Sequence, residues 1–264
     1  MKSGTAKFIP TTIIHRIGNI DTTFRHGIFD ARKSPDRRGF SHLTVCKAIP
    51  KSRATPYPMN SPTHFDASAK TWDSDPVKLA RALAVAEGIR NSIILSPQMR
   101  ALEYGCGTGL LSFALQPHLE HITLADSSIG MLTVLNEKLA ASHTQNMHTI
   151  RLDLVTDPTP GERYNLIYTM MTFHHIENTE SMLQTLHAML TSPGYLCIAD
   201  LDTEDGSFHG QGFSGHKGFD RKELCRKATN AGFRNVNFTT VFHMTKSDSA
   251  GQTEFPLFLM VAEK

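Results

Sequence analysis

The sequence predicts an α/β domain built on a seven-stranded, mainly parallel sheet whose last strand is antiparallel. Three observations predict it. From residue 76 to residue 233, short apolar runs alternate with segments whose apolar residues recur every three or four positions. That is the pattern of strands joined by crossover helices. The first strand runs directly into a turn with glycine at Gly105, Gly107 and Gly109, which opens a helix. The last two apolar runs follow each other with no helical segment between them, so they must pair as an antiparallel hairpin.

In chain order, residues 76–93 place Leu79, Leu83, Ala86, Ile89 and Ile93 at helical spacing, with Pro76 in the first turn, where a missing N–H is harmless. Residues 99–105 form a strand and 107–119 a helix; 121–127 and 128–142 repeat the pair. Residues 147–155 and 163–171 supply two more strands. The second is almost continuously apolar, as a strand covered on both faces must be. A helix over 178–190 stops at Ser192, Pro193 and Gly194, and a fifth strand follows at 194–202. A helix over 220–233 is closed by Gly232, and residues 234–245 and 255–264 make the hairpin.

The 264 residues suffice for a sizeable core, but charge divides the chain unevenly. Residues 1–60 hold eleven Lys and Arg against three Asp and Glu, while the remainder holds 16 against 22. The body is mildly acidic and gives no strong nucleic-acid signal. The basic, acid-poor first 60 residues read as an extension or an organellar transit segment, and residues 61–264 as the domain. Cys46, Cys106, Cys197 and Cys225 are scattered without metal or disulfide spacing, which favours a reducing compartment, the cytoplasm by default. A transit segment would direct the chain to an organelle instead. No apolar run approaches the ~18–20 residues that a membrane span needs.

Glu103 decides what the glycine turn is for. A dinucleotide turn reads GxGxxG and seats a pyrophosphate on the helix N-terminus. Here Leu110 stands where the third such glycine belongs, and Glu103 puts a negative charge beside the place the phosphates would occupy. The loop suits a cationic ligand better.

With this acid-x-Gly-x-Gly-x-Gly segment the sequence resembles the class I S-adenosylmethionine-dependent methyltransferases, over about residues 62–264. The resemblance implies a Rossmann-like, doubly wound fold with S-adenosylmethionine as cofactor. It implies that Glu103 faces the ammonium of the methionine moiety, and that Gly105, Gly107 and Gly109 make room for it. Asp126, ending the second strand, would accept the ribose hydroxyls, or else cap the next helix unless Ser127 or Ser128 does so. Met131 and Leu132 would flank the adenine, and Asp153 would meet its amino group. Cys106, Ser127, Leu154 and Met170 complete the implied cofactor residues.

The segment after the fourth strand, TMMTFHHI at 169–176, lacks the Asn/Asp-Pro-Pro-Tyr/Phe motif and resembles the quinone-biosynthesis subgroup, which implies a small-molecule acceptor. His174 and His175 are the first candidates for a general base, because imidazole titrates near neutral pH; either could instead pack or cap the helix near Asn178, His175 sooner than His174. The glycine-rich stretch 200–220 is long enough to be a lid over the acceptor, so His209 or His216 is a rival base and Phe213 a closing residue. Asp200, Asp202, Glu204 and Asp205 in that stretch read as solvated loop acids rather than a metal site. Residues 65–76 resemble the cap helix of this family, with Phe65 and Trp72 either covering the cofactor or packing in the core. Two alternatives stay open: a non-catalytic methyltransferase-like binding subunit and an NAD-dependent oxidoreductase.

Overall fold

The computed structural model describes residues 62–210, 212–248 and 251–264. Every described residue lies in one compact unit, Ser52–Lys264. The predicted extension and Cys46 lie outside the described residues.

Seven strands form one sheet: β1 (Arg100–Tyr104), β2 (His121–Asp126), β3 (Met147–Arg151), β4 (Tyr164–Met170), β5 (Leu190–Leu201), β6 (Arg234–Asp248) and β7 (Gly251–Glu263). Their order is β3-β2-β1-β4-β5-β7-β6. The β1–β2, β1–β4, β2–β3 and β4–β5 pairs are parallel, whereas β7 runs antiparallel to both β5 and β6. The predicted sheet and its reversed strand are therefore present, with β7 slotted between β5 and the edge strand β6. The strand order reverses between β1 and β4, and this opens a crevice at their carboxyl ends.

Alternate residues of the strands feed two cores. One holds Ala101, Leu166 and Tyr168 with Val85 and Ile89 of α2 (Pro76–Ser92), Leu111 of α3 (Leu110–Leu115) and Leu135 of α4 (Ile129–Ser142). The other holds Leu102 and Ile167 with Leu183 and Leu186 of α5 (Thr179–Met189) and Leu224 of α6 (Arg221–Asn230). Helices thus cover both faces, and α1 (Pro62–Ser68) with a 3-10 segment over Ala69–Ser74 precedes them. Among the described residues no helix is long and apolar enough to cross a membrane.

Two expectations are corrected. The buried face of α2 is Arg81, Ala82, Val85, Ala86 and Ile89, while Leu79 and Leu83 are about half exposed. Steps of three and four are compatible with two adjacent stripes of one helix, and the small alanines, not the leucines, fit against the sheet. The Ser-Pro-Gly segment does not stand between helix and strand. β5 already begins at Leu190, opposite Tyr164, and an irregularity in that pairing absorbs the proline.

Two glycines of the β1–α3 turn are dictated by sterics. Gly105 has φ 71°, and a Cβ there would lie 2.3 Å from the Thr172 side chain. Gly109 has φ 79° and begins α3, where a Cβ would lie 2.7 Å from Leu135. Such left-handed conformations are open to glycine and strained for other residues.

Candidate active site

The crevice opens into a cavity of about 530 Å³. At its acidic end, Glu103 closes β1 and is 2% exposed. Its carboxylate accepts a hydrogen bond from Ser112 Oγ, which in turn meets Tyr168 Oη at 2.5 Å. Burial drives the carboxyl up to about 8 against the pull of Ser112, and the charge of Asp126 adds to the rise. A buried carboxyl held so weakly gains most from a cation. The residues therefore fit a ligand with an ammonium group.

Asp126, at the end of β2, lines the same end. Its Oδ2 accepts the Gly107 N–H at 2.7 Å and its Oδ1 the Ser128 N–H at 2.8 Å. The helix cap is Ser128, whose Oγ accepts the Met131 N–H. Each Asp126 oxygen keeps a lone pair, so the carboxylate can still accept hydroxyl groups. Burial raises its pKa, opposed by these backbone bonds.

Gly105, Cys106, Gly107, Ser127, Met131 and Met170 also line the cavity. Gly109, Asp153, Leu154 and Leu132 do not. Gly109 serves the packing of α3 on Leu135, and Leu132 belongs to the core. β3 ends at Arg151, so Asp153 falls in a turn where its Oδ1 accepts the Val155 N–H and its backbone N–H is bound by Asp157. Leu154 donates its N–H to Tyr104 Oη. The lining at this point is Leu152 and Tyr104, neither of which stands out in sequence.

The other end of the cavity is basic and aromatic. His174 lies in a 3-10 turn over Phe173–His175, just past β4, and is 1% exposed. The Met170–Ala199 register of the parallel β4–β5 pair brings this turn beside Asp200 on β5. His174 Nδ1 lies 2.7 Å from Asp200 Oδ1, and the His174 backbone N–H donates to Oδ2. Asp200 also accepts the Leu201 N–H. Burial alone would raise its carboxyl, but His174 and these N–H groups hold it below the ordinary value. An ionised carboxylate only accepts, so Nδ1 carries the proton and Nε2 is the basic nitrogen. That Nε2 is buried and has no hydrogen-bond partner among the described residues. Asp200, expected to be solvated, is fully buried and belongs to this pair.

The other histidines differ. His175 and His209 line the cavity, but burial and the neighbouring His174 charge push them down to about 3 and about 4. The lid residues Phe208 and His209 complete the wall, with Phe213 stacked on His209 at 3.9 Å from outside. His216 lies outside the cavity: its N–H donates to the His174 carbonyl and its Nε2 to the Ile176 carbonyl, tying lid to turn. This removes it as a base. Asp202 pairs with Arg221, and Glu204 and Asp205 accept loop N–H groups. Among the described residues, no group of three or more His, Cys, Asp or Glu is arranged to hold a metal.

The segment before α2 closes the top. Asp66 accepts hydrogen bonds from Ser128 Oγ at 2.6 Å and the Gly130 N–H at 2.7 Å; Asp73 accepts from Thr108 Oγ1 and Lys138 Nζ. These ties hold Phe65 and Trp72 on the cavity rather than in the core, with Phe65 edge-on to His175 at 5.4 Å. Met171 lines it too, with its backbone at φ 55°, a region that a non-glycine residue enters only under strain. Arg81 of α2, 8% exposed, is a charged lining residue that the sequence did not mark. A lone charge inside an amphipathic repeat signals nothing until the buried stripe is known.

Comparison with known proteins agrees with this geometry. A family model described as a methyltransferase domain matches residues 77–238. An uncharacterized methyltransferase of Schizosaccharomyces pombe is 26% identical over 212 residues, covering 74% of each chain. The ubiquinone biosynthesis O-methyltransferase of Marinobacter nauticus is 24% identical over 155 residues, covering 56% of this chain and 65% of its own. Among solved structures, DhpI in its SAH complex superposes with a TM-score of 0.59 at 19% identity, over 80% of this chain and 98% of that one. These matches favour neither the oxidoreductase nor the binding-subunit alternative. The chain belongs to the methyltransferase-domain family, the class I S-adenosylmethionine-dependent methyltransferases that its glycine turn resembles.

Proposed function

We propose that residues 61–264 form an enzyme that methylates a small molecule at an atom carrying a removable proton, with His174 as the general base. The observation that carries this reading is the buried His174–Asp200 pair, 2.7 Å long, which leaves Nε2 of a residue lining the cavity without a hydrogen-bond partner. S-adenosylmethionine, when bound, supplies a methyl group on a sulfonium, a good leaving group. Glu103 would hold its ammonium and Asp126 its ribose hydroxyls, and Met131 and Leu152 would flank its adenine. His174 Nε2 takes the proton of the acceptor, and Asp200 fixes the tautomer and stabilises the imidazolium that forms. Phe65, Trp72 and the lid keep water out of the reacting pair. The quinone-biosynthesis reading of TMMTFHHI draws support from the Marinobacter nauticus relative.

Full-length protein incubated with methyl-labelled S-adenosylmethionine and, separately, a small-metabolite extract, RNA and protein should label only the metabolite fraction. Label in RNA or protein would overturn the small-molecule acceptor. Absence of label together with no affinity for S-adenosylhomocysteine would overturn the enzyme.

Glu103 yields a second expectation. With its carboxyl held up to about 8 it is mostly protonated at pH 7, and an arriving ammonium favours the ionised form. Binding of S-adenosylhomocysteine at pH 7 should therefore release close to one proton, read as a buffer-dependent binding enthalpy. Affinity should rise with pH up to about 8 and then level off. Glu103→Gln should abolish the release; a release unchanged in that variant would take Glu103 out of the ammonium site.

A further inference from the structure

Two buried hydroxyls stand in line behind Glu103, and the direction of their hydrogen bonds follows from counting hydrogens. Glu103 and Tyr168 are register partners on the parallel strands β1 and β4, so their side chains leave the sheet on the same face. Ser112 of α3 touches both. Ser112 and Tyr168 are fully buried and Glu103 nearly so. Ser112 has one hydroxyl hydrogen, and it goes to the Glu103 carboxylate, which can only accept when ionised. The 2.5 Å contact between Ser112 Oγ and Tyr168 Oη is then donated by the tyrosine. Among the described residues Tyr168 Oη has no other partner. The chain runs one way, from Tyr168 through Ser112 to Glu103.

A neutral Glu103 fits this chain poorly. If the acid proton were donated to Ser112, Ser112 would donate to Tyr168, and the phenolic hydrogen would stay buried with no acceptor, at a cost. If the proton sat on the other carboxyl oxygen, the chain would end on a neutral acceptor, a weaker bond than one to an ion. Both cases favour the carboxylate. Tyr168 keeps its own proton, since burial and the Glu103 charge push the phenol up. Cys106 and Cys197, which also act on that phenol, are pushed up by burial too. The other charges acting on Glu103 are Asp126 of β2, which opposes ionisation, and Lys138 of α4, which favours it.

We infer that Ser112 and Tyr168 are positioning residues for the cofactor: their one-way chain holds the buried Glu103 ready, as a carboxylate, for the ammonium. This rests on the reading of Glu103 as the ammonium site. Neither residue lines the cavity, so neither acts by touching the ligand. Tyr168 acts only through Ser112, and its effect disappears when Ser112 has no hydroxyl.

The full chain, labelled with ¹³C at its glutamate carboxyls, is titrated by NMR without ligand, the Glu103 signal being the one lost in Glu103→Gln. Tyr168→Phe should raise the Glu103 midpoint by about half a pH unit, and Ser112→Ala by more. The double variant should go no further than Ser112→Ala alone, because the two hydroxyls act as one chain. Affinity for S-adenosylhomocysteine at pH 7 should fall about threefold in Tyr168→Phe and converge on wild type at pH 9, where both carboxyls are ionised. A packing defect would weaken binding alike at both pH values and leave the midpoint in place. A midpoint unmoved in Ser112→Ala, or shifts that simply add in the double variant, overturns the inference; Ser112→Ala decides alone should Tyr168→Phe not fold. A raised midpoint with unchanged affinity at pH 7 overturns the link to the cofactor. If wild type fails to bind S-adenosylhomocysteine, the methyltransferase reading falls, while the ligand-free titration still decides the chain.

Discussion

Replacing His174 by glutamine should lower kcat by about 10²- to 10⁴-fold, the range over which a positioned base contributes. The affinity for S-adenosylhomocysteine should stay within about twofold, because the cofactor groups lie at the other end of the cavity and distant sites act independently. Glutamine keeps a hydrogen bond to Asp200 and most of the volume, so the buried carboxylate is not left uncompensated. Asp200→Asn should cost less in kcat, because an amide oxygen still accepts the Nδ1–H while the charge that stabilises the imidazolium is lost. His175 and His209, held at about 3 and about 4, are already neutral at pH 7. Steady-state kinetics on the best acceptor decide the matter. Full activity in the glutamine variant would leave methyl transfer without a base from this turn.

Asp126→Ala should weaken S-adenosylhomocysteine binding by about 1.5–3 kcal/mol, the scale of hydrogen bonds to a charged group. Two effects combine there. The ribose hydroxyls lose their acceptor, and the glycine turn loses the carboxylate that holds the Gly107 N–H at 2.7 Å. Asp126→Asn separates them, since an amide oxygen still accepts from Gly107 but carries no charge. Titration calorimetry on both variants reads the split, and an unchanged affinity in Asp126→Ala would remove the residue from the cofactor site.

The acidic half of the site was legible in sequence because its parts lie on one continuous strand–turn–helix unit. Glu103 and the glycines are separated by two to six positions, and Asp126 by one further helix and strand. The basic half was legible only in outline. Sequence reading set His174 ahead of His175 but could not supply the reason, because the distinguishing partner, Asp200, is 26 residues away and arrives only through the β4–β5 register. Asp153 stays off the cavity lining for a local reason: β3 ends at Arg151, two residues before it, and its carboxylate accepts the Val155 N–H. Arg81 was hidden because α2 buries its alanine stripe instead of its leucines. Periodicity finds an amphipathic helix; which stripe meets the sheet depends on shape complementarity that only the packed structure displays.

The insertion of β7 between β5 and β6 sets an order of completion along the chain. β1 to β4, with the acidic half of the site, pair among themselves and need nothing beyond Met170. The opposite wall includes Met244 and Lys246 of β6, which reach the sheet only through β7. As the ribosome delivers the chain, the nucleoside half can therefore assemble from local contacts while the acceptor half waits for the last strand. Such long-range pairing is the slow kind. The wall that β6 contributes is the last part of the cavity to be made.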